Sequence, residues 1–376
     1  MTFVSDITLR NFRSYTEACL NGLASSFVVL TGANGAGKTN ILEAVSLLSP
    51  GKGMRSADSQ DFQNRSFSDP FWSVFSVTQT QYGSIRIGTG RDSQKERRSV
   101  HIQGEIVKSQ TMLSDYLTCL WLTPQMDRLF IDAASSRRKF FDRMVFHFDP
   151  GHAGRMTRYE NAMAQRSRLL KEGQNSPAWL DALELQMAQS GVAVAAARVM
   201  FTERLQAVCR TRENAAFPVA QLALSGQLEH LIHEGRSALA LEDEFKAHLQ
   251  SSRSEDAVYG GAARGPHKSD FLVTYAAKNM PASQCSTGEQ KALLIGLVLA
   301  HADLIRMERG APPILLLDEI AAHLDEVRRE DLYKLLGQIG GQVWMSGTDL
   351  YLFEKVRGEA SFFEVKNGQI LSLNHA

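Results

Sequence analysis

Charge of one sign is missing from this 376-residue chain, in which 41 Lys and Arg stand against 41 Asp and Glu. A net charge of zero excludes a histone-like or polybasic-tail mode of nucleic-acid binding, though not a local basic face. Cysteine is scarce too. Cys19, Cys119, Cys209 and Cys285 lie far apart with no CxxC pair, which excludes a zinc ribbon or a disulfide framework and suits a reducing cytosol. Long hydrophobic runs are absent: the longest, Ala292 to Ala300, stops before His301 and Asp303, far short of the ~20 residues a membrane span needs. The amino terminus shows no charged region followed by an apolar one, so no secretory signal is visible. The chain therefore reads as cytoplasmic, with no membrane partner. What remains is an ordinary globular composition, 44% hydrophobic and 8% aromatic, long enough for about two domains of ~150 residues.

Periodicity places the elements. Phe3 to Leu9 and Ser26 to Thr31 predict strands, the second carrying the buried run Phe27-Val28-Val29-Leu30. A glycine-rich turn and an amphipathic helix, Lys38 to Leu48, follow. Alternating segments at Trp72 to Thr78, Ser84 to Gly88 and Ser99 to Ile102 predict an antiparallel sheet. From Ser135 to about Cys209 the pattern is helical, in two long segments, Ser135–Lys171 and Pro177–Cys209. Strands return at Asp270 to Ala276, Pro313 to Leu317 and Gln342 to Met345. Helices at Ser286–Met307 and Asp325–Leu336 precede the last two, and a hairpin is predicted around Asn367-Gly368. The expected fold class is α/β, a head domain built from residues 1–130 and 262–376 with a mostly helical lobe, 131–261, inserted.

Gly32-Ala33-Asn34-Gly35-Ala36-Gly37-Lys38-Thr39 fits G-x-x-x-x-G-K-[ST] between a buried strand and a helix. Glycines let backbone N–H groups curl around phosphates, and the helix amino terminus adds partial positive charge. Lys38 would reach the β- and γ-phosphates of ATP and Thr39 would ligate Mg2+, with Asn40 in the first helical turn completing the nucleotide-binding set. Pro313 to Leu317 ends in Asp318 and Glu319. Asp318 is placed to hold Mg2+, and Glu319 to act as the base that orients the attacking water. Alone, such a pair is an acidic turn after a buried strand; beside a phosphate loop it is the other half of a nucleotide site.

Ser286-Thr287-Gly288-Glu289-Gln290 opens a helix shortly before that acidic strand. Ser286 and Glu289 form an S-x-x-E capping box, which explains the helix start but not the order of phosphate loop, helix and acidic strand. That order resembles the ABC-type P-loop ATPase head, with a mixed sheet, an antiparallel subdomain and an inserted helical lobe. The resemblance implies that Ser286 and Gly288 meet the γ-phosphate bound by a second subunit. Cys285, Thr287 and Glu289 depart from the usual L-S-G-G-Q. His323-Leu324-Asp325 resembles the dimer-contact loop of such heads. Ser346-Gly347-Thr348 stands where transporters usually carry a switch histidine. Gln125, in Thr123-Pro124-Gln125, is either the sensing glutamine between the lobes, near the metal, or a loop residue.

Four further segments resemble the RecF family: Leu9 to Tyr15 its N-F-R-x-Y turn, Ser136 to Asp142 its R-R-x-F-L-D helix, Gly265 to Asp270 its G-P-H-R-D-D loop, and Asp318 to Arg328 its D-D-x-x-x-E-L-D-x-x-R stretch. Phe141, Lys268, Ser269, Glu319 and His323 depart from those patterns. The resemblance implies a weak ATPase that dimerises on ATP, binds duplex and gapped or single-stranded DNA, and acts with RecO and RecR to load RecA during gap repair, replication restart and the SOS response. Only 246 residues separate Thr39 from Ser286, too few for a condensin-type coiled-coil arm. An ABC-transporter subunit is a second alternative and a P-loop phosphotransferase a third.

Neutrality hides segregation. Arg128 to Lys171 holds ten bases and four acids; Gln227 to Asp256 holds seven acids and three bases. The first segment is either a phosphate-contacting surface or a solvated helix face. Arg137, Arg138, Lys139 and Arg143 are its candidate DNA contacts, Arg137 and Arg138 being open also to a packing role.

Overall fold

The computed structural model describes residues 2–67, 71–92, 97–173, 176–212, 216–366 and 368–373. Strands β1 (Phe3–Phe12), β2 (Tyr15–Leu20) and β3 (Phe27–Thr31) precede helix α1 (Lys38–Ser46). Next come β4 (Trp72–Thr80), β5 (Gly83–Arg91), β6 (Ser99–Ile102), β7 (Glu105–Ile106) and β8 (Cys119–Leu122). The middle of the chain holds α2 (Ala134–Phe148), α3 (His152–Lys171), α4 (Pro177–Thr211), β9 (Ala220–Ser225), α5 (Gln227–His233), α6 (Ala238–Ser251) and α7 (Arg253–Tyr259). It continues through β10 (Asp270–Tyr275), β11 (Met280–Pro281) and α8 (Thr287–Arg309). The chain then runs through β12 (Ile314–Leu317), α9 (Glu326–Ile339), β13 (Val343–Gly347), β14 (Ala360–Lys366) and β15 (Gln369–Ser372).

Two compact units result: Met1–Asp127 with Ala215–Phe217 and Leu297–Ala376, and Arg128–Asn214 with Pro218–Gly296. In the first unit, a sheet ordered β15-β14-β3-β13-β12-β8 is parallel except for β14–β15, and a second sheet, β2-β1-β4-β5-β6-β7, is antiparallel. The parallel strands read as continuous apolar runs because both faces are covered. Val74, Ile87 and Val100 of the antiparallel sheet share one core with Ile41 and Val45 of α1 and with Leu316 and Trp344. β14 and β15 form the hairpin; Asn367 of its expected turn lies outside the described residues.

The second unit gathers α3 to α7 around Tyr159, Met187, Phe245 and Leu249, with α2 packed on β10 of a small sheet, β11-β10-β9. The expected return to the head at residue 262 differs from this division. β10 pairs with β9, Asp270 opposite Ser225, rather than with any head strand, so its segment belongs with the helices. The segment expected as Ser135–Lys171 is two helices, because Pro150 lacks the N–H that would continue the first. The expected helix at 177–209 extends to Thr211.

Candidate nucleotide-binding site

Strand order builds the site. β3 delivers the phosphate loop at its carboxyl end, β12 delivers Asp318, and β13 runs between them. Two parallel spacings of about 4.8 Å are short enough for side chains to meet across the middle strand. Thr39 Oγ1 lies 2.9 and 3.0 Å from the two carboxylate oxygens of Asp318. The Ser346 hydroxyl, from β13, donates to Asp318 Oδ1 at 2.7 Å and accepts from the Glu319 N–H at 2.9 Å. Asp318 is buried, and Glu319, half-buried, holds a left-handed φ of +56°. That region is unfavourable for a side chain bearing Cβ, and such strain persists where surrounding contacts enforce it. Ser346 supplies one of those contacts.

The loop itself closes on Lys38, which donates to the Gly32 carbonyl at 2.6 Å and the Ala33 carbonyl at 3.0 Å. Burial lowers the Lys38 pKa, and the charges of Glu319 and Asp318 oppose that shift. Gly32 and Gly37 are required by geometry. At φ +142° and +116°, a Cβ would meet the Val365 carbonyl oxygen at 2.2 Å and the Tyr15 hydroxyl at 2.5 Å. Ala33, Asn34 and Gly35 form the exposed tip, with Ala36 half-buried behind it. Asn40 is drawn away from the loop, donating to Ser14 Oγ at 2.8 Å and accepting from Arg55 at 2.9 Å. Below it Arg13 makes a two-point pair with buried Glu43, both contacts at 2.8 Å. The N-F-R-x-Y segment is thus tied to α1.

Gln125 is exposed in the turn after β8, the neighbour of β12, so it stands at the Asp318 end of the sheet. A metal enclosed by the protein alone would need a denser cluster; among the described residues no three His, Cys, Asp or Glu converge. The hard oxygens of Thr39 and Asp318 fit Mg2+, which keeps several waters and shares phosphate oxygens.

In the second unit the start of α8 is already capped. The Glu289 carboxylate accepts from the Ser286 N–H at 2.9 Å and its hydroxyl at 2.8 Å, and pairs with Lys278. Gly288 lies in the exposed first turn. The Lys278 hydrogen bond, with the two from Ser286, holds the Glu289 carboxyl at about 2. A depressed carboxyl contributes its cap at every pH above the ordinary carboxylate range and loses it only as pH falls through the folded value. Carboxyl-resolved NMR should therefore place the Glu289 midpoint near 2, rising in Lys278→Met; a midpoint at the ordinary 4.5 contradicts the pairing.

The basic segment shrinks in the fold. Arg137 forks onto Asp270 at 2.8 and 2.7 Å, and Arg138 donates to the Ser269 carbonyl at 2.8 Å. Both therefore pack α2 against the β10 end of this unit. Arg143 lies over the Phe140 ring, with burial lowering its pKa to about 10. Arg166 is fully buried. Lys139, Arg158 and Lys171 remain exposed. Ser346, matched in the sequence only to the place of a transporter's switch histidine, proves to be a site residue through its contacts with Asp318 and Glu319; the signal for that role is the end of a buried strand beside the acidic one.

The RecF/RecN/SMC N terminal domain family matches residues 3–370. The DNA replication and repair protein RecF of Agrobacterium fabrum is 46% identical over 370 residues, covering 98% of each chain. The chain belongs to the RecF family. The RecF of Rhizobium rhizogenes is likewise 46% identical, over 371 residues and 98% of each chain. A solved structure of the recombination mediator protein RecF with ATPrS, in the RecFOR pathway, has the same fold, with a TM-score of 0.88 at 21% identity over 99% of this chain and 98% of that one. An Smc head domain from Pyrococcus furiosus follows at 0.55 and 16%, over 99% and 96%. As a RecF-family member the chain has the mixed α/β fold of an ABC-type ATPase head, and among its described residues no helix is long and apolar enough to cross a membrane.

Proposed function

We propose that this RecF-family chain binds ATP with Mg2+, dimerises on it, and hydrolyses it slowly to time its release from gapped DNA, working with RecO and RecR to load RecA. The observation that carries the reading is the chain of contacts from Thr39 through Asp318 and Ser346 to Glu319, beside a phosphate loop closed on its lysine. The pathway named for the solved relative supports RecO and RecR as partners. The longest helix, α4, has 35 residues, roughly 50 Å, and packs on α3 and α6. That favours a packed lobe over a condensin-type arm.

The chemistry follows from the residues. Lys38 carries three donors and uses two on loop carbonyls, so its charge and remaining N–H are available to phosphate oxygens. Thr39 and Asp318 would hold Mg2+, which when bound would neutralise charge developing on the phosphates. Glu319, with its main chain fixed by Ser346, would orient the attacking water and accept its proton. The amino end of α8 from a second copy would complete the site, its partial positive charge facing the γ-phosphate.

Glu319→Gln keeps the hydrogen-bonding shape and removes the base. It should lower ATP turnover by ~100-fold or more while lengthening the ATP-bound dimer's residence on gapped DNA. Anisotropy on a gapped duplex, with and without ATP and Mg2+, measures this; an affinity indifferent to nucleotide in both wild type and variant contradicts the reading.

A further inference from the structure

The start of α8 holds a contact that a helix cap does not need. In an ordinary capping box the serine hydroxyl accepts from the N–H three residues on, and the side chain there accepts from the serine N–H. The second of these bonds is present, from the Ser286 N–H to Glu289 Oε2 at 2.9 Å, but the first is stretched to 3.4 Å. The Ser286 hydroxyl donates instead to the same Oε2, at 2.8 Å. A serine has one hydroxyl proton, and this one is spent inside the chain. The other carboxylate oxygen, Oε1, pairs with Lys278.

The helix start is secured without that carboxylate. Buried Gln290 donates its side-chain amide to the Cys285 carbonyl at 2.8 Å and its N–H to the Ser286 carbonyl at 2.9 Å. Ser286, Thr287 and Gly288 stay exposed beside it. Lys278 is brought up by the tight turn between β10 and β11, where Asn279 takes a left-handed φ of +46° and the ammonium lies 5.4 Å from the Tyr275 ring centre. A hydrogen bond to an ionised acceptor is roughly twice as strong as a neutral one. Glu289 therefore grips the hydroxyl more tightly than the glutamine of L-S-G-G-Q would.

We propose that Glu289 competes with the γ-phosphate of a second copy's ATP for the Ser286 hydroxyl proton, so that the dimer closes only on a nucleotide able to take that bond over. The inference rests on the reading of Ser286 as the residue that completes a second copy's site, and gives that site its own restraint. The exchange is a rotation of the hydroxyl about one bond, from carboxylate to phosphate, and no proton changes owner. A terminal phosphate brings about two negative charges and three strong acceptor oxygens, enough to outbid one carboxylate oxygen. ADP presents no such group, so with ADP the proton stays on Glu289. Lys278 keeps hold of the carboxylate as it lets go and offsets its charge, which would otherwise repel the incoming phosphate.

The test is sedimentation equilibrium of the full-length protein with Mg2+ and either AMP-PNP, which keeps a γ-phosphate, or ADP. Glu289→Gln retains a capping-box residue and should lower the dimer dissociation constant with AMP-PNP by ~tenfold or more, while ADP still leaves monomer. Lys278→Met, at a half-exposed turn, should raise that constant by a similar factor and serves if the first variant misfolds. Added to Glu289→Gln, it should have almost no effect, because the lysine acts through the carboxylate. Unchanged or weaker dimerisation of folded Glu289→Gln overturns the proposal and leaves Glu289 a helix cap, as does an unchanged constant in Lys278→Met. A Glu289→Gln dimer as tight with ADP as with AMP-PNP overturns the competition with the γ-phosphate. An undiminished Lys278→Met loss in the double variant overturns the lysine's part by placing it on the partner directly. Wild type that dimerises with AMP-PNP while the variants match it sinks the restraint alone, whereas wild type that stays monomeric sinks the dimerisation reading with it.

Discussion

Lys38→Met should abolish ATP binding while leaving the fold intact. Methionine keeps the unbranched apolar stem of the lysine, so the buried path of the side chain, 3% exposed, stays filled. What disappears is the ammonium group at the mouth of the loop, along with its bonds to the carbonyls of Gly32 and Ala33. Those carbonyls then face incoming phosphates with no cation between them. Breaking one partner of a desolvated charge pair costs about 2–5 kcal/mol, so the dissociation constant should rise at least ~30-fold. Lys38→Arg should fare little better, because a planar guanidinium cannot replace a point charge in a closed loop. Isothermal titration with ATP and Mg2+ reads both, and an affinity within tenfold of wild type would refute the assigned role. The variant should also lose any ATP-dependent change in DNA affinity.

The half of the site that is contiguous in sequence is legible from the residues alone. A phosphate loop, an acid after an apolar strand and a capped helix are local patterns, and each stands where spacing puts it. Ser346 is not legible in that way, because its role comes from sheet order: it matters only since β13 lies between β3 and β12, and nothing in spacing states which strands are neighbours. The same reason hides the true position of β10. Its register with β9 depends on a six-residue strand inside a segment that otherwise reads as helix. The fate of Arg137 is equally invisible, because its partner Asp270 lies 133 residues away. Charge counting finds ten bases in one stretch but not the ion pair, aromatic ring and burial that claim several of them. The break between α2 and α3, by contrast, is written in Pro150-Gly151, two breakers in succession.

Arg166→Met should destabilise the helical unit by about 3–5 kcal/mol, the usual cost of removing one partner from a buried ionic network. Arg166 is fully buried and satisfies every arm of its guanidinium. Nε donates to Glu184 at 2.9 Å, Nη1 to Asp256 at 2.8 Å and Nη2 to the Leu249 carbonyl at 2.6 Å. One side chain on α3 thereby fastens α4, α6 and α7. Methionine refills most of the volume but leaves two buried carboxylates short of a cation. Glu184 keeps Arg253 at 2.9 Å, and Asp256 keeps the Ser252 hydroxyl at 2.7 Å and the Ala263 N–H at 3.2 Å, so the damage falls chiefly on Asp256, whose remaining contacts are neutral. Adding Asp256→Asn to Arg166→Met should therefore recover part of the loss, since a neutral amide tolerates burial that a stranded charge does not. Denaturant unfolding of the two variants measures the difference, and a loss below ~1 kcal/mol in the single variant would mean that water reaches the pocket. The phosphate loop belongs to the other compact unit, while the first turns of α8 belong to this one. The expected defect is therefore divided: Arg166→Met should still bind ATP at low temperature but lose ATP-driven dimerisation as it warms, whereas Lys38→Met loses both at every temperature.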